Sequence, residues 1–334
     1  MKILVIRFSS IGDIVLTTPV VRALKQQLPG SEIHFITKTP FKGILDQNPN
    51  IDKVYSIDKS VNEVINELKK EKYDHIVDLH KNIRTLSLIL KLKRPSSSFP
   101  KLNLEKWLLV NLKLDRLPRV HIVSRYFEAV KNLGVVNDGL PCDFFIGPEN
   151  DIDIYKTFGL DKIPYVTIAL GAQYATKRLP FEKLVEIIDQ LNIPIILIGG
   201  PTDKTLADKL LEKFKDKKIF SACGAFSLGQ SASIVKQSSA ILTNDTGLMH
   251  IASCFEIPTV SVWGNTVPEL GMYPYFPKHA EKFSIHEVKG LGCRPCSKIG
   301  FQECPKKHFN CMMQQDAQGI AQDLTSKSQL FSQK

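Results

Sequence analysis

The chain has 334 residues, 43% of them hydrophobic and 23% charged, a globular composition that excludes disordered, collagen-like and coiled-coil proteins; at roughly 150 residues per domain it predicts two domains. Lys and Arg number 44 against 34 acidic residues, a formal net charge of +10, which suits an anionic partner. Apolar runs such as Ile193–Ile198 fall far short of the ~20 residues of a membrane span, and Ile3 to Ile6 between Lys2 and Arg7 are too few for a signal-peptide core, so a cytoplasmic chain is expected. Lys2–Arg7 reads as a strand, followed by the small loop Ser9-Ser10-Ile11-Gly12 and a helix over Asp13–Leu28 that Pro29-Gly30 stops. Strands follow at Glu32–Thr37, Lys53–Ile57 and Asp74–Leu79, with helices near Phe41–Gln47, over Val61–Lys70 and near Ser124–Leu133. Gly134, Gly139, Pro141, Gly147, Pro148 and Gly159 mark residues 134–163 as a linker. Beyond it the alternation restarts. Strands are predicted at Tyr165–Leu170, Ile193–Ile198, Lys218–Ser221, Ala240–Thr243 and Pro258–Trp263, and helices at Phe181–Leu191, Asp203–Phe214, Leu228–Gln237 and Gly247–Cys254.

Strands alternating with helices imply parallel sheets with right-handed crossovers. The expected architecture is two doubly wound α/β domains, residues 1–150 and 151–334 with a C-terminal tail, flanking a cleft where loops at the strand ends would hold ligands. Charge is uneven between them. Residues 1–150 carry 23 basic against 16 acidic residues, and Lys81 to Lys131 hold twelve basic residues with only Glu105, Asp115 and Glu128 opposing them. Interleaved Leu86, Leu88, Ile89, Leu90, Trp107, Leu108, Leu109 and Val110 make the stretch partly amphipathic. It is either a solvated face over a buried stripe or a surface for an anionic membrane.

Three loops carry candidate chemistry. Ser9-Ser10-Ile11-Gly12-Asp13 joins the first strand to its helix, where Asp13 can cap the helix or act as a general base; it lacks the Gly-x-Gly-x-x-Gly of a dinucleotide fingerprint. Gly171-Ala172-Gln173-Tyr174-Ala175-Thr176-Lys177-Arg178-Leu179-Pro180 places a hydroxyl and two cations beside a helix start, a phosphate-friendly arrangement or merely a solvated surface. Thr243-Asn244-Asp245-Thr246-Gly247-Leu248-Met249-His250 runs from a strand end into another helix start. Asp245 can cap it or take a sugar hydroxyl, and His250 is either a core residue or a phosphate contact. Fixed amides and Lys177 would stabilise a departing diphosphate without reorganising.

This ordered set resembles glycosyltransferase family 9, the lipopolysaccharide heptosyltransferases. The resemblance spans roughly residues 1–275 and rests on Ser9 to Asp13 with Thr18-Pro19, Asp78-Leu79-His80, Ala175 to Arg178 with Pro180, Asn244 to Gly247 with His250, and Gly264, Thr266 and Pro268. It implies a GT-B fold of two facing Rossmann-like domains and an inverting, metal-independent transfer of heptose from ADP-heptose to the inner core of lipopolysaccharide, with no cofactor. By the same resemblance Asp13 is the catalytic base of the acceptor domain, with Ser9, Ser10, Gly12, Lys81 and Arg84 on the acceptor side. Thr176 and Lys177 are expected at the donor diphosphate, Asp245 at the heptose, Thr246, Gly247 and His250 near the phosphates, and Asp203 at the adenosine ribose. The family's Trp is replaced by Leu179, and the central Gly-containing stretch after Asp78 reads Lys81-Asn82; these departures bear on the sugar and the acceptor. A phosphorylated, acidic-sugar-bearing lipid on the inner leaflet would be drawn to the basic stretch, making the protein a peripheral membrane one.

Asp151-Ile152-Asp153 looks like a metal-holding Asp-x-Asp, but it lies in the linker, away from these loops. Seven cysteines fit reduced thiols better than disulfides. Cys293, Cys296, Cys304 and Cys311 have spacings that could form a structural metal site or serve as packing thiols. Two other functions fit parts of the sequence: transfer of a different nucleotide-activated sugar to a surface glycan, and zinc-dependent nucleic-acid binding. The second leaves two α/β domains without a role, so no nucleic-acid partner is expected.

Overall fold

The computed structural model describes residues 1–160 and 163–331; residues 161 and 162 of the expected linker, and the tail beyond 331, lie outside them. The chain divides into two compact units, Met1–Leu102 with Val120–Phe145, and Asn103–Arg119 with Ile146–Lys334. The division falls ahead of the expected 150/151 boundary. It also assigns Asn103–Arg119, expected in the first domain, to the second unit.

In chain order the first elements are β1 (Lys2–Ile6), α1 (Ile11–Val15), α2 (Thr18–Gln27), β2 (Glu32–Lys38), β3 (Lys53–Ile57), α3 (Ile65–Lys70), β4 (His75–Asp78), α4 (Ile83–Leu92) and β5 (Ser96–Ser98). Next come α5 (Asn103–Trp107), which runs into a π-helical turn Leu108–Leu112, and α6 (Ile122–Phe127). The single helix expected over Asp13–Leu28 is two helices. Pro19 lacks an N–H for the ladder, and the Thr17 and Thr18 hydroxyls donate back to the carbonyls of Ile14 and Val15 at 2.6 and 2.7 Å, breaking the helix between them. The helix expected near Phe41–Gln47 is a 3₁₀ segment, Thr39–Ile44. β5 was not expected because Ser96-Ser97-Ser98 has no apolar alternation; its pairing with β4 makes it a strand.

The first sheet is wholly parallel, in the order β3-β2-β1-β4-β5. One face buries Leu4, Ile6, Ile36, Ile57 and Ile76 against Leu68 of α3 and Leu88 and Leu92 of α4. Because β2 and β3 lie on one side of β1 and β4 on the other, the chain reverses its winding between β1 and β4. Loops leaving those two strands at their C-terminal ends therefore open a crevice.

The second unit continues with α7 (Ile154–Phe158), β6 (Val166–Ala169), α8 (Phe181–Asp189), β7 (Ile195–Ile198), α9 (Lys204–Lys213), β8 (Ile219–Ser221), α10 (Leu228–Lys236), β9 (Ala240–Asn244), α11 (Gly247–Cys254), β10 (Thr259–Trp263), β11 (Phe283–Glu287), α12 (Asn310–Met313) and α13 (Ala317–Phe331). Its parallel sheet has the order β11-β10-β9-β6-β7-β8, reversing between β6 and β9. Both faces are covered. Val166, Ile168, Ile195, Leu197, Ala240 and Leu242 pack with α8, α9 and α13, while Ala169, Ile196, Ile198 and Ile241 pack with α7, α10 and α11. That two-sided burial is why these strands read as unbroken apolar runs. The expected C-terminal tail is largely α13, with Ile320, Ala321 and Leu324 in the core.

Candidate active site

The crevice of the first unit is built around Arg7, at the end of β1. Its side chain is only 10% exposed, and it reaches three groups: Nε donates to the Ser9 carbonyl at 2.8 Å, Nη1 to the Leu79 carbonyl at 2.6 Å, and Nη2 forms an ion pair with Asp13 Oδ1. The planar guanidinium thus ties the loop after β1 to the end of β4 and aims the carboxylate. The other Asp13 oxygen accepts from the Ser10 hydroxyl at 2.8 Å and the Ser10 amide at 3.2 Å. Burial alone would lower the pKa of Arg7, but Asp13, with Tyr126 and Asp78, raises it above the ordinary value. The fork stays charged. Asp13, with 20% of its side chain exposed, is held on one side and accessible on the other.

On the facing loop, buried Asp78 accepts from the amides of His80 and Lys81 at 2.9 and 2.8 Å. Lys101 Nζ fastens the same turn by donating to the carbonyls of His80 and Lys81 at 3.1 and 2.9 Å. Burial, aided by nearby Arg7 and Lys101, pushes the His80 imidazole down to about 4, so it is neutral at pH 7. Its buried Nδ1 has no hydrogen-bond partner among the described residues. Ser9, Ser10 and Gly12 lie on the Asp13 loop as expected. Lys81 spends its ammonium on the Phe99 carbonyl at 3.0 Å, whereas Arg84 is exposed on α4.

The crevice of the second unit joins the loops after β6 and β9. Lys177 Nζ and Asp245 Oδ2 lie 2.6 Å apart, and Thr266 Oγ1 donates to the same oxygen at 2.8 Å. Thr176 is stapled to a distant segment: its hydroxyl donates to the Phe301 carbonyl at 3.0 Å and accepts from the Phe301 amide at 2.8 Å. Asn244 fixes the two loops together by accepting from the Leu179 amide at 3.3 Å and donating to the Ala169 carbonyl at 3.2 Å. Thr246 and Gly247 open α11, where first-turn amides have no intrahelical acceptor. Among the described residues, the buried Oγ1 of Thr246 and both amide atoms of Asn265, a residue 1% exposed, lack partners. Polar groups of this kind are served by a hydrogen-bonding ligand.

Lys177, Thr176, Asp245, Thr246 and Gly247 thus come together, as the sequence suggested. His250 is buried on α11, one turn further in. Asp203 is 5% exposed; it accepts from the Gly200 amide at 2.8 Å and sits 3.5 Å from Arg178. It packs so closely under Gly171 and Gly199 that a Cβ at either would meet it at 2.2 and 2.7 Å. The structure gives Asp203 the part of a brace beneath the loops. Sequence reading missed Arg7, which looked like a mere flank of the first strand, and Phe301, which acts through its backbone and so leaves no side-chain signal.

Asp151 accepts from Ser233 Oγ at 3.0 Å and Asp153 caps α7, which gives both acids structural partners. Among the described residues, none of the seven cysteines forms a disulfide. Cys293 Sγ lies 3.9 Å from His308 Nε2, and Cys296 Sγ donates to the Cys293 carbonyl. Cys311 is packed in the core, where burial pushes its thiol up to about 12. Among the described residues, the ligand-type side chains that bring three donor atoms within 4.8 Å of one another are Glu32, His34 and Glu71, and these are already paired with Lys2, Lys53, Tyr55 and Tyr73.

The model of glycosyltransferase family 9 (heptosyltransferase) matches residues 61–299. A lipooligosaccharide heptosyltransferase 2 of Haemophilus ducreyi is 25% identical over 305 residues, covering 80% of this chain and 84% of that protein. The crystal structure of a family 9 glycosyl transferase from Veillonella parvula, 25% identical, superposes with a TM-score of 0.68 over 85% of each chain. The E. coli ADP-heptose lipopolysaccharide heptosyltransferase II, at 19% identity, shares the fold with a TM-score of 0.73 over 99% of each chain. The two parallel α/β units are those of the GT-B class. With the family match covering residues 61–299, well over half of the chain and parts of both units, the chain belongs to glycosyltransferase family 9.

Proposed function

We propose that this enzyme transfers heptose from ADP-heptose to the inner core of lipopolysaccharide, with inversion and without a metal. The observation that carries the reading is the division of labour between two pre-built crevices. One presents a single positioned carboxylate, and the other a cation–carboxylate–hydroxyl cluster beside a helix start. Similarity to heptosyltransferases along most of the chain supplies the sugar and the nucleotide.

In this reading Asp13 accepts the proton of the attacking acceptor hydroxyl as the bond to the anomeric carbon forms. The diphosphate leaves from the opposite face, so one in-line displacement inverts the centre. Lys177, the first-turn amides of α11 and the Thr246 hydroxyl stabilise the charge growing on the leaving group. Asp245, oriented by Lys177 and Thr266, holds sugar hydroxyls. Ser9, Ser10, Gly12, Lys81 and Arg84 frame the acceptor, a phosphorylated lipid in the inner leaflet to which the protein docks peripherally from the cytoplasm. No helix among the described residues is long and apolar enough to cross a membrane.

The test has two arms. In a thermal-shift panel of ADP-, GDP- and UDP-sugars only the true donor stabilises strongly, and a response to UDP-sugars alone would overturn the assignment. Asp13→Asn is expected to retain donor binding while turnover falls by about 10²–10⁴-fold. Near-wild-type turnover would remove Asp13 from the mechanism.

A further inference from the structure

From Leu79 to Leu104 the chain contains no acidic residue and six basic ones: Lys81, Arg84, Lys91, Lys93, Arg94 and Lys101. α4 lies in the middle of this stretch and has two apolar stripes. Thr85, Leu88 and Leu92 are buried against the first sheet. Ile83, Leu86 and Leu90, spaced for another face of the same helix, are 86%, 55% and 65% exposed. One outward stripe of three large aliphatic side chains has no folding role, since the core contact is made by the other stripe. Scattered exposed aliphatics are ordinary, but three aligned along one helix and bordered by cations form a patch. Arg84 and Lys91 stand two turns apart along one border, and Lys93 and Arg94 are exposed at the C-terminal end.

We infer that α4 is the element that seats the enzyme on an anionic bilayer. The occupant is fixed by charge complementarity: an interfacial helix inserts its apolar stripe at the acyl boundary while flanking cations meet acidic headgroups. Ten residues of helix span about 15 Å, enough to lie in the interface plane and too short to cross it. The inference rests on the reading in which the acceptor is carried by a membrane lipid, and it names the surface that brings the crevice at β1 and β4 to that lipid. The stripe and the Asp13 loop belong to the same unit, so docking through α4 seats on the membrane the unit that carries the proposed base.

The experiment compares full-length wild type with an Ile83→Gln/Leu86→Gln/Leu90→Gln variant in co-sedimentation with phosphatidylcholine vesicles, with and without phosphatidylglycerol. Glutamine keeps helix propensity, and the exposed positions leave the melting temperature unchanged. Wild type is expected to bind the phosphatidylglycerol vesicles, more weakly at high salt, and the triple variant to bind them at least about tenfold more weakly. Lys91→Gln/Lys93→Gln/Arg94→Gln serves as the second variant and should abolish the preference for phosphatidylglycerol. Undiminished binding by the triple variant overturns the inference. So does a wild-type dimer that the triple variant converts to monomer with vesicle binding intact, which would make the stripe a contact between copies. Transfer to a deacylated, water-soluble acceptor separates this question from the functional reading. The triple variant should match wild type there and lag on vesicle-borne acceptor. If wild type transfers heptose to neither acceptor, the functional reading fails while the vesicle result still judges α4.

Discussion

Replacing Arg7 with lysine tests whether catalysis depends on the guanidinium that positions Asp13. Arg7 makes three directed contacts from a side chain 10% exposed: the Ser9 carbonyl, the Leu79 carbonyl and the Asp13 carboxylate. A lysine ammonium keeps the charge, but on a flexible stem it cannot satisfy three acceptors arranged for a planar fork. If it follows the carboxylate, two charge-assisted hydrogen bonds are lost, each contributing about 1.5–3 kcal/mol, and the buried Leu79 carbonyl and half-buried Ser9 carbonyl lose their donors. Partial relaxation brings the expected destabilisation to about 3 kcal/mol, which a domain of ordinary stability survives. Kinetics should be more diagnostic. With the β1 loop no longer tied to β4, a displacement of Asp13 by about 1 Å is expected to lower kcat by about 10²-fold. Donor KM should hardly move, because Lys177, Asp245 and Thr266 lie in the other unit. Chemical denaturation and steady-state kinetics against donor concentration measure the two effects. A variant that is destabilised yet turns over within about twofold of wild type would show that Arg7 only stabilises the fold, and the positioning argument would be wrong.

Lys177→Ala should raise donor KM and lower kcat together, by about 10²-fold in kcat/KM, because it removes the proposed diphosphate contact and frees Asp245 from its cation; an unchanged donor KM would count against the assignment. Gly171→Ala forces a Cβ to within 2.2 Å of Asp203 Oδ2; displacing the brace should cost about 1–3 kcal/mol by chemical denaturation, and Gly171→Ala/Asp203→Ala should recover part of it. His80 predicts a pH dependence. Its folded value, about 4, lies below the ordinary 6.5, so its contribution is fully present above about pH 6.5. Between about 6.5 and 4 the unfolded chain takes up a proton that the folded imidazole refuses, so stability falls with pH, by no more than about 2 kcal/mol after solvent screening. Denaturation curves for wild type and His80→Asn across that window should differ in slope; parallel curves would contradict the buried, neutral imidazole.

The sequence by itself determined the alternation of strands and helices, because two-sided burial turns each parallel strand into an apolar run, as in Ile195–Ile198. It also singled out the loops proposed for the chemistry, since Asp13, Lys177 and Asp245 stand at strand-to-helix junctions where such folds hold ligands. Local pattern reached no further where geometry is set by partners distant in the chain. The break between α1 and α2 was visible in Thr17-Thr18-Pro19 only once hydroxyl back-bonding is considered alongside the periodicity. β5 exists because β4 offers it a ladder, and α13 because the second sheet needs cover on the face shared with α8. Tertiary structure alone decided that Arg7 holds Asp13, that Asp203 sits beneath Gly171 and Gly199, and that Phe301 fastens Thr176 across 125 residues of chain. The reason is physical. Periodicity records which side of an element is buried, whereas a hydrogen-bond acceptor brought in by the fold, often a backbone carbonyl, leaves no mark on the residues around it.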